Sequence, residues 1–267
     1  MGTTIGFIGT GNMGGALARA AAKAQPCEDI YLYDAFAEKA SNLANELGCK
    51  SADIHTVSQC SFIFIGVKPQ MIADLFQELA PILSRRTDPF VLVSMAAGVQ
   101  MSRIRELAGK DYPVIRIMPN MPVSVCGGMI LYDKTENITD GQCEGFLSSM
   151  RFAGLLDHLP EALIDAGTSV ASCGPAFAFL FIEALTKGGV ACGLPEDKAM
   201  LYAKQMLLGS AKLALESDKH PSALREAVCS PGGSTIEGIY ALQNGKFPET
   251  VAQAVLASFK RNQELGK

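Results

Sequence analysis

The chain has 267 residues, of which 48% are hydrophobic and 19% charged, as expected for a folded protein of one large or two smaller domains. Its net charge of −4 argues against a nucleic-acid partner, because surfaces that bind nucleic acids are normally basic. The histidines lack metal-ligand spacing and the eight cysteines form no C-x-x-C pair, so we predict no metal site and expect reduced, mostly buried thiols. The most apolar run, 176–182, is too short to span a bilayer, and we expect a cytoplasmic protein without a membrane partner.

Apolar runs alternate with helix-like segments in the first part of the chain. Strand candidates lie at 5–8, 30–33, 62–67, 90–95 and 114–118. Runs that are apolar on both faces and alternate with helices are typical of a parallel sheet covered on both sides. The pattern therefore predicts an α/β fold with a doubly wound parallel sheet over residues 1–160.

The second part of the chain, residues 161–267, is predicted to be all-α. The stretch 175–193 is apolar nearly all round, and a helix of this kind must be buried on every side. A second subunit is a plausible cover, so we expect a homodimer or higher oligomer formed through this domain. Further helices are expected at 194–215, 221–229 and 247–264.

The first strand candidate is followed at once by a glycine fingerprint. Gly9, Gly11 and Gly14 have G-x-G-x-x-G spacing at the start of a helix, which is the context of a Rossmann-type dinucleotide site. The turn and the helix N-terminus would face the cofactor phosphates. The predicted contacts also include the intervening residues Thr10, Asn12 and Met13. The alternative is a glycine-rich turn without a ligand.

Asp34 ends the second strand candidate, twenty positions after Gly14. An acidic residue there binds the adenosine ribose hydroxyls of NAD and repels a 2′-phosphate, so the spacing favours NADH over NADPH. Two alternatives stay open. Asp34 could cap the helix that follows Ala35, and a neighbouring cation could restore NADPH binding.

Three later loops follow strand candidates at the edge of the sheet where ligands bind in open α/β folds. They lie at 66–70, 94–99 and 118–122. Lys68 could reach ribose or phosphate, small residues could admit a flat ring, and Asn120 could bond the nicotinamide amide or the substrate. The predicted cofactor contacts here are Val67, Lys68, Pro69, Ala96, Ala97, Gly98 and Asn120. Each loop could also simply turn the chain.

The stretch 228–238 reads VCSPGGSTIEG, with two glycines and two hydroxyls at the start of a helix-like run. Backbone N–H groups and the dipole at a helix start attract anions, and glycine permits close approach to the main chain. This pattern indicates an anion site. The alternative is an ordinary helix start capped by Ser234 or Thr235.

In chain order, FIGTGNMG, VKPQ, SMAAGV, RIMPNMP and VCSPGGSTIEGIYAL resemble the Δ1-pyrroline-5-carboxylate reductase family over essentially the whole chain. The resemblance implies transfer of a hydride from NAD(P)H to a cyclic imine to give L-proline, the last step of proline biosynthesis. It also implies oligomers built from dimers with interlocked helical domains. Cys173 and Phe177 depart from the hydroxyl and tyrosine that are usual at the family's ASCGPAF-like loop.

The substrate that the family implies carries a carboxylate beside a five-membered imine ring. Amides at Gly233, Ser234 and Thr235 would bind the carboxylate, and the Thr235 hydroxyl is the catalytic candidate that would orient the ring nitrogen. The Val228 carbonyl could accept from the same nitrogen. Ser230 and Gly232 complete the predicted substrate site.

Two other functions share features with this sequence. A reductase of the β-hydroxyacid dehydrogenase type would need a lysine in an N-x-x-K context, and the segment 187–198 lacks that pattern. A nucleotide-sensing protein without turnover would need neither the anion loop nor an intact second domain.

Overall fold

The computed structural model describes residues 3–265 and forms two compact units. One unit comprises the chain up to Cys173 together with the stretch from Ser258, and the other comprises Gly174–Ala257. The strands are β1 (Ile5–Ile8), β2 (Ile30–Tyr33), β3 (Lys50–Ser51), β4 (Phe62–Ile65), β5 (Val91–Ser94), β6 (Val114–Met118), β7 (Gly128–Lys134) and β8 (Gly154–His158). The helices are α1 (Asn12–Ala24), α2 (Ala37–Leu47), α3 (Ile54–Val57), α4 (Ile72–Leu83), α5 (Met101–Ala108), α6 (Asp140–Met150), α7 (Glu161–Ala171), α8 (Gly174–Ala191), α9 (Glu196–Glu216), α10 (Pro221–Val228), α11 (Ser234–Asn244) and α12 (Phe247–Leu265).

The first unit is built on one eight-stranded sheet in the order β3-β2-β1-β4-β5-β6-β7-β8. Neighbouring strands are parallel except for β6 and β7, which pair antiparallel. The predicted α/β fold with an all-α C-terminal part is confirmed. The sheet reverses direction at β7, and this reversal was not expected from the sequence.

Both faces of the central strands are buried, and this explains the continuous apolar runs. Phe7 and Phe64 stack with ring centroids 4.7 Å apart beneath α1 and α6, in a cluster that includes Phe146. Ile63 and Ile65, the neighbours of Phe64 in β4, pack into the opposite cluster under α4 and α5. Side chains alternate across a strand, so a strand covered on both sides is apolar at nearly every position; Ser94 in β5 and Arg116 in β6 are the buried polar exceptions among the described central strands.

A buried ion network connects β6 to α7. The Arg116 guanidinium contacts Glu161 Oε1 at 3.3 Å and Asp165 Oδ1 at 3.2 Å, and its side chain is 3% exposed. Glu161 Oε1 also accepts from the Met101 backbone N–H at 2.8 Å, so one carboxylate joins β6 to the start of α5. The network fixes the strand that leads into the 118–122 loop.

The helices of the second unit expose large apolar side chains. In α8 only Thr186 is buried in the single chain, while Phe179 and Leu180 are 58% and 66% exposed. The stretch Glu161–Ala191 is long and apolar enough to cross a membrane by length and composition alone, and only 11% of its most apolar window is buried. The apolar surface predicted for 175–193 is therefore present and uncovered within one chain.

The cysteines are all free thiols, but the expectation that they are mostly buried is wrong. Cys60 is buried, Cys126 and Cys192 are exposed, and the other five are intermediate. Small apolar side chains at element ends, such as Cys49 before β3, need not lie in the core.

Candidate functional site

The turn between β1 and α1 can be built only with glycine at two positions. Gly9 has a φ of +96°, a backbone conformation that residues with a side chain rarely adopt. A Cβ at Gly14 would lie 2.0 Å from the Gly9 carbonyl oxygen, so the helix packs directly on the turn. Gly66 packs against the same carbonyl from β4, where a Cβ would lie 2.8 Å from it. The turn is thus wedged between α1 and the end of β4.

Gly11 differs from these residues because space surrounds it. No described atom lies within 4 Å of a Cβ built at Gly11, and its φ of −64° strains no residue type. Gly11 is the N-cap of α1 and no side chain of the described residues caps that helix. The first-turn amides of α1 therefore face an open space, as an anion site at a helix start requires.

Asp34 holds the glycine turn with its own carboxylate. Oδ2 accepts from the Thr10 backbone N–H at 2.8 Å and from Thr10 Oγ1 at 3.2 Å, while Oδ1 accepts from the Phe36 N–H at 3.0 Å. The bond to Phe36 forms a turn just before α2, but the N-cap of α2 is Phe36 and none of the described side chains caps the helix, so Asp34 does not serve as its cap. A carboxylate has about four lone-pair sites, so Asp34 keeps acceptor capacity for a ligand.

A cleft of about 500 Å³ opens beside this turn, between the segments that follow β2 and β4. Its wall contains acidic and basic side chains, namely Asp34, Asp74, Glu78, Lys39 and Lys68. Burial, followed by the carboxylates of Glu78 and Asp34, raises the pKa of Tyr33 in this wall above its ordinary value. The lining residues are Ile8, Gly9, Gly11, Tyr33, Asp34, Ala35, Phe36, Lys39, Gly66, Val67, Lys68, Met71, Asp74, Leu75 and Glu78.

Of the three later loops, only the 66–70 loop lines this cleft, through Gly66, Val67 and Lys68. The 94–99 loop is a tight turn in which Val99 N–H donates to the Ala96 carbonyl at 3.3 Å and Gly98 has a φ of +75°. Gly98 is needed for that backbone conformation whether or not a ring lies nearby.

Asn120 is 7% exposed, and its amide is used inside the fold. Its Nδ2 donates to the Ala171 carbonyl and its Oδ1 accepts from the Met129 N–H, both at 2.9 Å. Asn120 thus connects the 118–122 loop to the end of α7 and the start of β7. Its contact with cofactor or substrate stays a prediction.

The 228–235 loop connects α10 to α11 within the second unit. Gly232 has a φ of +70°, and the Gly233 N–H donates to the Ser230 carbonyl at 3.0 Å, so that amide is engaged inside the loop. Gly233 is the N-cap of α11, and none of the described side chains caps the helix. Ser234 and Thr235 therefore do not serve as caps, and they are exposed in the single chain.

Sequence reasoning missed part of the cleft. Gly66 was included only as the edge of a loop, and Phe36, Lys39, Asp74 and Glu78 were not singled out. The available signal was positional, because residues after β2 and β4 flank the end of β1 in this strand order. Within residues 3–265 no cluster of three or more potential metal-ligating side chains is found.

Two family profiles match the chain. The profile described as "Pyrroline-5-carboxylate reductase dimerisation" matches residues 161–265, and "NADP oxidoreductase coenzyme F420-dependent" matches residues 4–98. The two matches cover the helical part and the first half of the sheet, respectively.

Curated relatives match nearly the full chain. The chain is 33% identical to pyrroline-5-carboxylate reductase of Escherichia coli K12 over 98% of both chains. It is 35% identical to the Glycine max enzyme of the same name, over 98% of this chain and 96% of that one.

Solved structures agree in fold over the whole length. A pyrroline-5-carboxylate reductase from Coxiella burnetii superposes with a TM-score of 0.90 at 30% identity, with 99% of each chain covered. The Plasmodium falciparum pyrroline carboxylate reductase, solved with NADP bound, has a TM-score of 0.88 at 27% identity, covering 99% of this chain and 98% of that one. These matches include the glycine turn between β1 and α1, the helical domain and the 228–235 loop, and the chain belongs to the pyrroline-5-carboxylate reductase family.

Proposed function

We propose that this protein reduces Δ1-pyrroline-5-carboxylate to L-proline with a reduced nicotinamide dinucleotide, in the last step of proline biosynthesis. The observation that carries the proposal is the extent of the sequence similarity. It covers 98% of the chain, which aligns with pyrroline-5-carboxylate reductases at 33–35% identity. The aligned length includes both the β1–α1 turn and the 228–235 loop. Similarity to a dinucleotide-binding domain alone would end with the sheet and would not include the helical domain.

The cofactor is a nicotinamide dinucleotide, and the glycine turn fits one. Gly14 and Gly66 close the turn by direct packing, while the open space at Gly11 leaves room for a pyrophosphate at the start of α1. The residues proposed to hold the cofactor are Gly9, Thr10, Gly11, Asn12, Met13, Gly14, Asp34, Val67, Lys68, Pro69, Ala96, Ala97, Gly98 and Asn120. When bound, the reduced nicotinamide supplies the hydride.

Within this set we propose that Asp34 favours NADH. Its charge lies at the cleft, and hydrogen bonds from Thr10 and Phe36 hold it in place. A fixed carboxylate repels a 2′-phosphate. Lys39 and Lys68 line the same cleft and are cations that could oppose this effect, so the activities with NADH and NADPH must be measured side by side. A tenfold or greater preference for NADPH would exclude this role of Asp34.

The substrate carboxylate is proposed to bind at the start of α11. The Gly233 amide already donates to Ser230, so the donors we propose are the amides of Ser234 and Thr235. Gly232 and Gly233 keep the approach free of side chains, and Ser230 supports the loop. The Thr235 hydroxyl is proposed to orient the ring nitrogen, with the carbonyl of Val228 at the end of α10 as a second partner.

The protein forms homo-oligomers, which agrees with the dimerisation profile at 161–265 and with the apolar faces that α8 and α9 leave exposed. We propose a homodimer as the minimal unit, a functional division between residues 160 and 161, and a cytoplasmic location. A second subunit is the proposed cover for Phe179, Leu180 and Leu201.

The direct test is oxidation of NADH and of NADPH by the purified protein with and without pyrroline-5-carboxylate, with proline identified as the product. Substrate-dependent oxidation is expected, and growth of a proline auxotroph that carries the gene is the matching observation in cells. Dinucleotide binding without substrate-dependent oxidation would overturn the proposed reaction and favour a sensing role.

A further inference from the structure

Phe36 is an exposed aromatic side chain in the wall of the dinucleotide cleft. It immediately precedes α2, is 69% exposed, and shares the cleft with Gly11 and Asp34. A large apolar ring in this position leaves its surface in water when the cleft holds no ligand. Apolar residues also line the α4 side of the cleft, where Met71 and Leu75 lie.

The ring is attached to the part of the fold that holds the glycine turn. The Phe36 N–H donates to Asp34 Oδ1 at 3.0 Å, and the Phe36 carbonyl accepts from the Lys39 N–H at 2.9 Å. The same Asp34 carboxylate accepts two bonds from Thr10. The backbone of Phe36 is therefore fixed relative to the turn that would carry the phosphates.

One face of the ring already has a partner. Lys39 Nζ lies over the ring, 4.9 Å from its centroid, as in a cation–π contact. The side chain is still 69% exposed, so most of the ring surface remains accessible beside Lys39. The arrangement is an aromatic platform supported by Lys39.

We infer that Phe36 is the stacking platform for the adenine base of the dinucleotide, with Lys39 supporting the ring from its other face. The inference rests on the proposed nicotinamide dinucleotide cofactor. Every nucleobase has a π-face, and stacking on an aromatic side chain is a general way to hold one. The ribose would then lie at Asp34 and the phosphates at Gly11, both of which line the same cleft as Phe36.

The sequence permits a direct spectroscopic test, because the chain contains no tryptophan. Phe36→Trp introduces a single fluorophore at the platform and preserves an aromatic ring there. Titration with ADP is expected to change its emission saturably, whereas nicotinamide mononucleotide, which lacks adenine, is expected to leave it unchanged.

The matched control is Phe152, which is 40% exposed and lies under Arg151 with the guanidinium carbon 4.9 Å from the ring centroid. It has the same cation–aromatic arrangement but does not line the cleft. Phe152→Trp is therefore expected to report no change in emission with either nucleotide.

Affinity provides a second measurement. Phe36→Ala is expected to weaken ADP and NADH binding about tenfold by calorimetry and to leave nicotinamide mononucleotide binding unchanged, since only the stacking contact is removed. Phe152→Ala is expected to leave all three affinities unchanged, and thermal melting of both variants reports whether they fold.

Unchanged emission of the Phe36→Trp protein with ADP, or equal weakening of ADP and nicotinamide mononucleotide binding in Phe36→Ala, would overturn the platform. Neither result affects the proposed reaction, which is tested by proline formation in the unmodified protein. Conversely, if ADP binds at Phe36 but the protein forms no proline, the inference about Phe36 holds and the proposed reaction is excluded.

Discussion

Thr10 and Asp34 are joined by two hydrogen bonds to a single carboxylate oxygen, from the Thr10 backbone at 2.8 Å and from its hydroxyl at 3.2 Å. The two residues are 24 positions apart in sequence, and this contact joins the β1–α1 turn to the end of β2. The residue proposed to select the cofactor thus also supports the turn that would bind its phosphates. A substitution that tests cofactor selection must therefore remove the negative charge of Asp34 and keep an acceptor for the hydrogen bonds from Thr10.

Asp34→Asn removes the charge and keeps one oxygen to accept from Thr10. Because the repulsion of a 2′-phosphate is lost, we expect the ratio of kcat/KM for NADPH to that for NADH to rise about tenfold, equivalent to about 1.4 kcal/mol. Steady-state kinetics with both cofactors measures the ratio. Asp29→Asn, before the opposite end of β2, is the control and is expected to leave the ratio unchanged. An unchanged ratio in Asp34→Asn would limit Asp34 to holding Thr10.

Gly14→Ala and Gly11→Ala are expected to fail in different ways. A Cβ at Gly14 meets the Gly9 carbonyl at 2.0 Å, so this variant should lose about 2 kcal/mol of unfolding free energy through overpacking. Apart from its chain neighbours, a Cβ at Gly11 meets no described atom, so this variant should have nearly the melting temperature of the unmodified protein. It should nevertheless bind ADP-ribose poorly, because the Cβ occupies the space proposed for the pyrophosphate. Thermal melting and calorimetry on both proteins separate the two effects. Normal ADP-ribose binding by Gly11→Ala would contradict a pyrophosphate site at this turn.

Thr235→Ala should reduce kcat/KM for pyrroline-5-carboxylate about tenfold to a hundredfold, the kinetic equivalent of one buried polar contact of about 1–3 kcal/mol. Thr235→Ser keeps the hydroxyl and should recover most of the loss. The measurement is steady-state kinetics at saturating cofactor. Dinucleotide affinity should stay constant in both variants, and unchanged kinetics in Thr235→Ala would remove this residue from the mechanism.

Alkylation should distinguish the buried thiol from an exposed one. Burial raises the pKa of Cys60 to about 11, so at pH 7 its thiolate share is about one part in 10,000 and reaction is slow. Cys126 is exposed and should react first with iodoacetamide, as measured by peptide mass mapping. Unfolding in guanidinium should abolish the difference. Faster labelling of Cys60 in the folded protein would contradict its burial.

The raised pKa of Cys60 also determines whether the stability of the folded protein rises or falls with pH. Unfolded Cys60 loses its proton near its ordinary pKa of about 8.5, whereas folded Cys60 keeps it until about pH 11. Its contribution to stability is complete below about pH 8.5 and is lost as the pH rises towards 11.

Sequence patterns located the elements that are buried on both sides. The bounds of β1, β2 and β6 agree with the predicted runs 5–8, 30–33 and 114–118, because strands in the middle of a covered sheet are mostly apolar. β8 has the sequence GLLDH and is mostly exposed at the sheet edge, so its sequence lacks that signature. β7 is mostly buried but was not assigned as a strand from the sequence, so its antiparallel pairing with β6 was not predicted either.

Side-chain roles were harder to predict than elements. The spacing placed Asp34 correctly at the end of β2, but it gave no sign that Thr10 and Phe36 would bind the carboxylate. Nor does a sequence show that the Asn120 amide bonds the backbone of Ala171, 51 positions away. Phe36 looks like any exposed residue at a helix start until the fold places it in the cleft.

The uncovered faces of α8 and α9 have a consequence for how the protein matures. The sheet unit has its own core and comes almost entirely from the first 173 residues, so it can form while the remainder is still being translated. In the proposed homodimer the helical segment completes its burial only on meeting another copy, which would make its resistance to heat and proteases a function of protomer concentration. Dilution alone should therefore expose the C-terminal half to degradation and spare the dinucleotide fold.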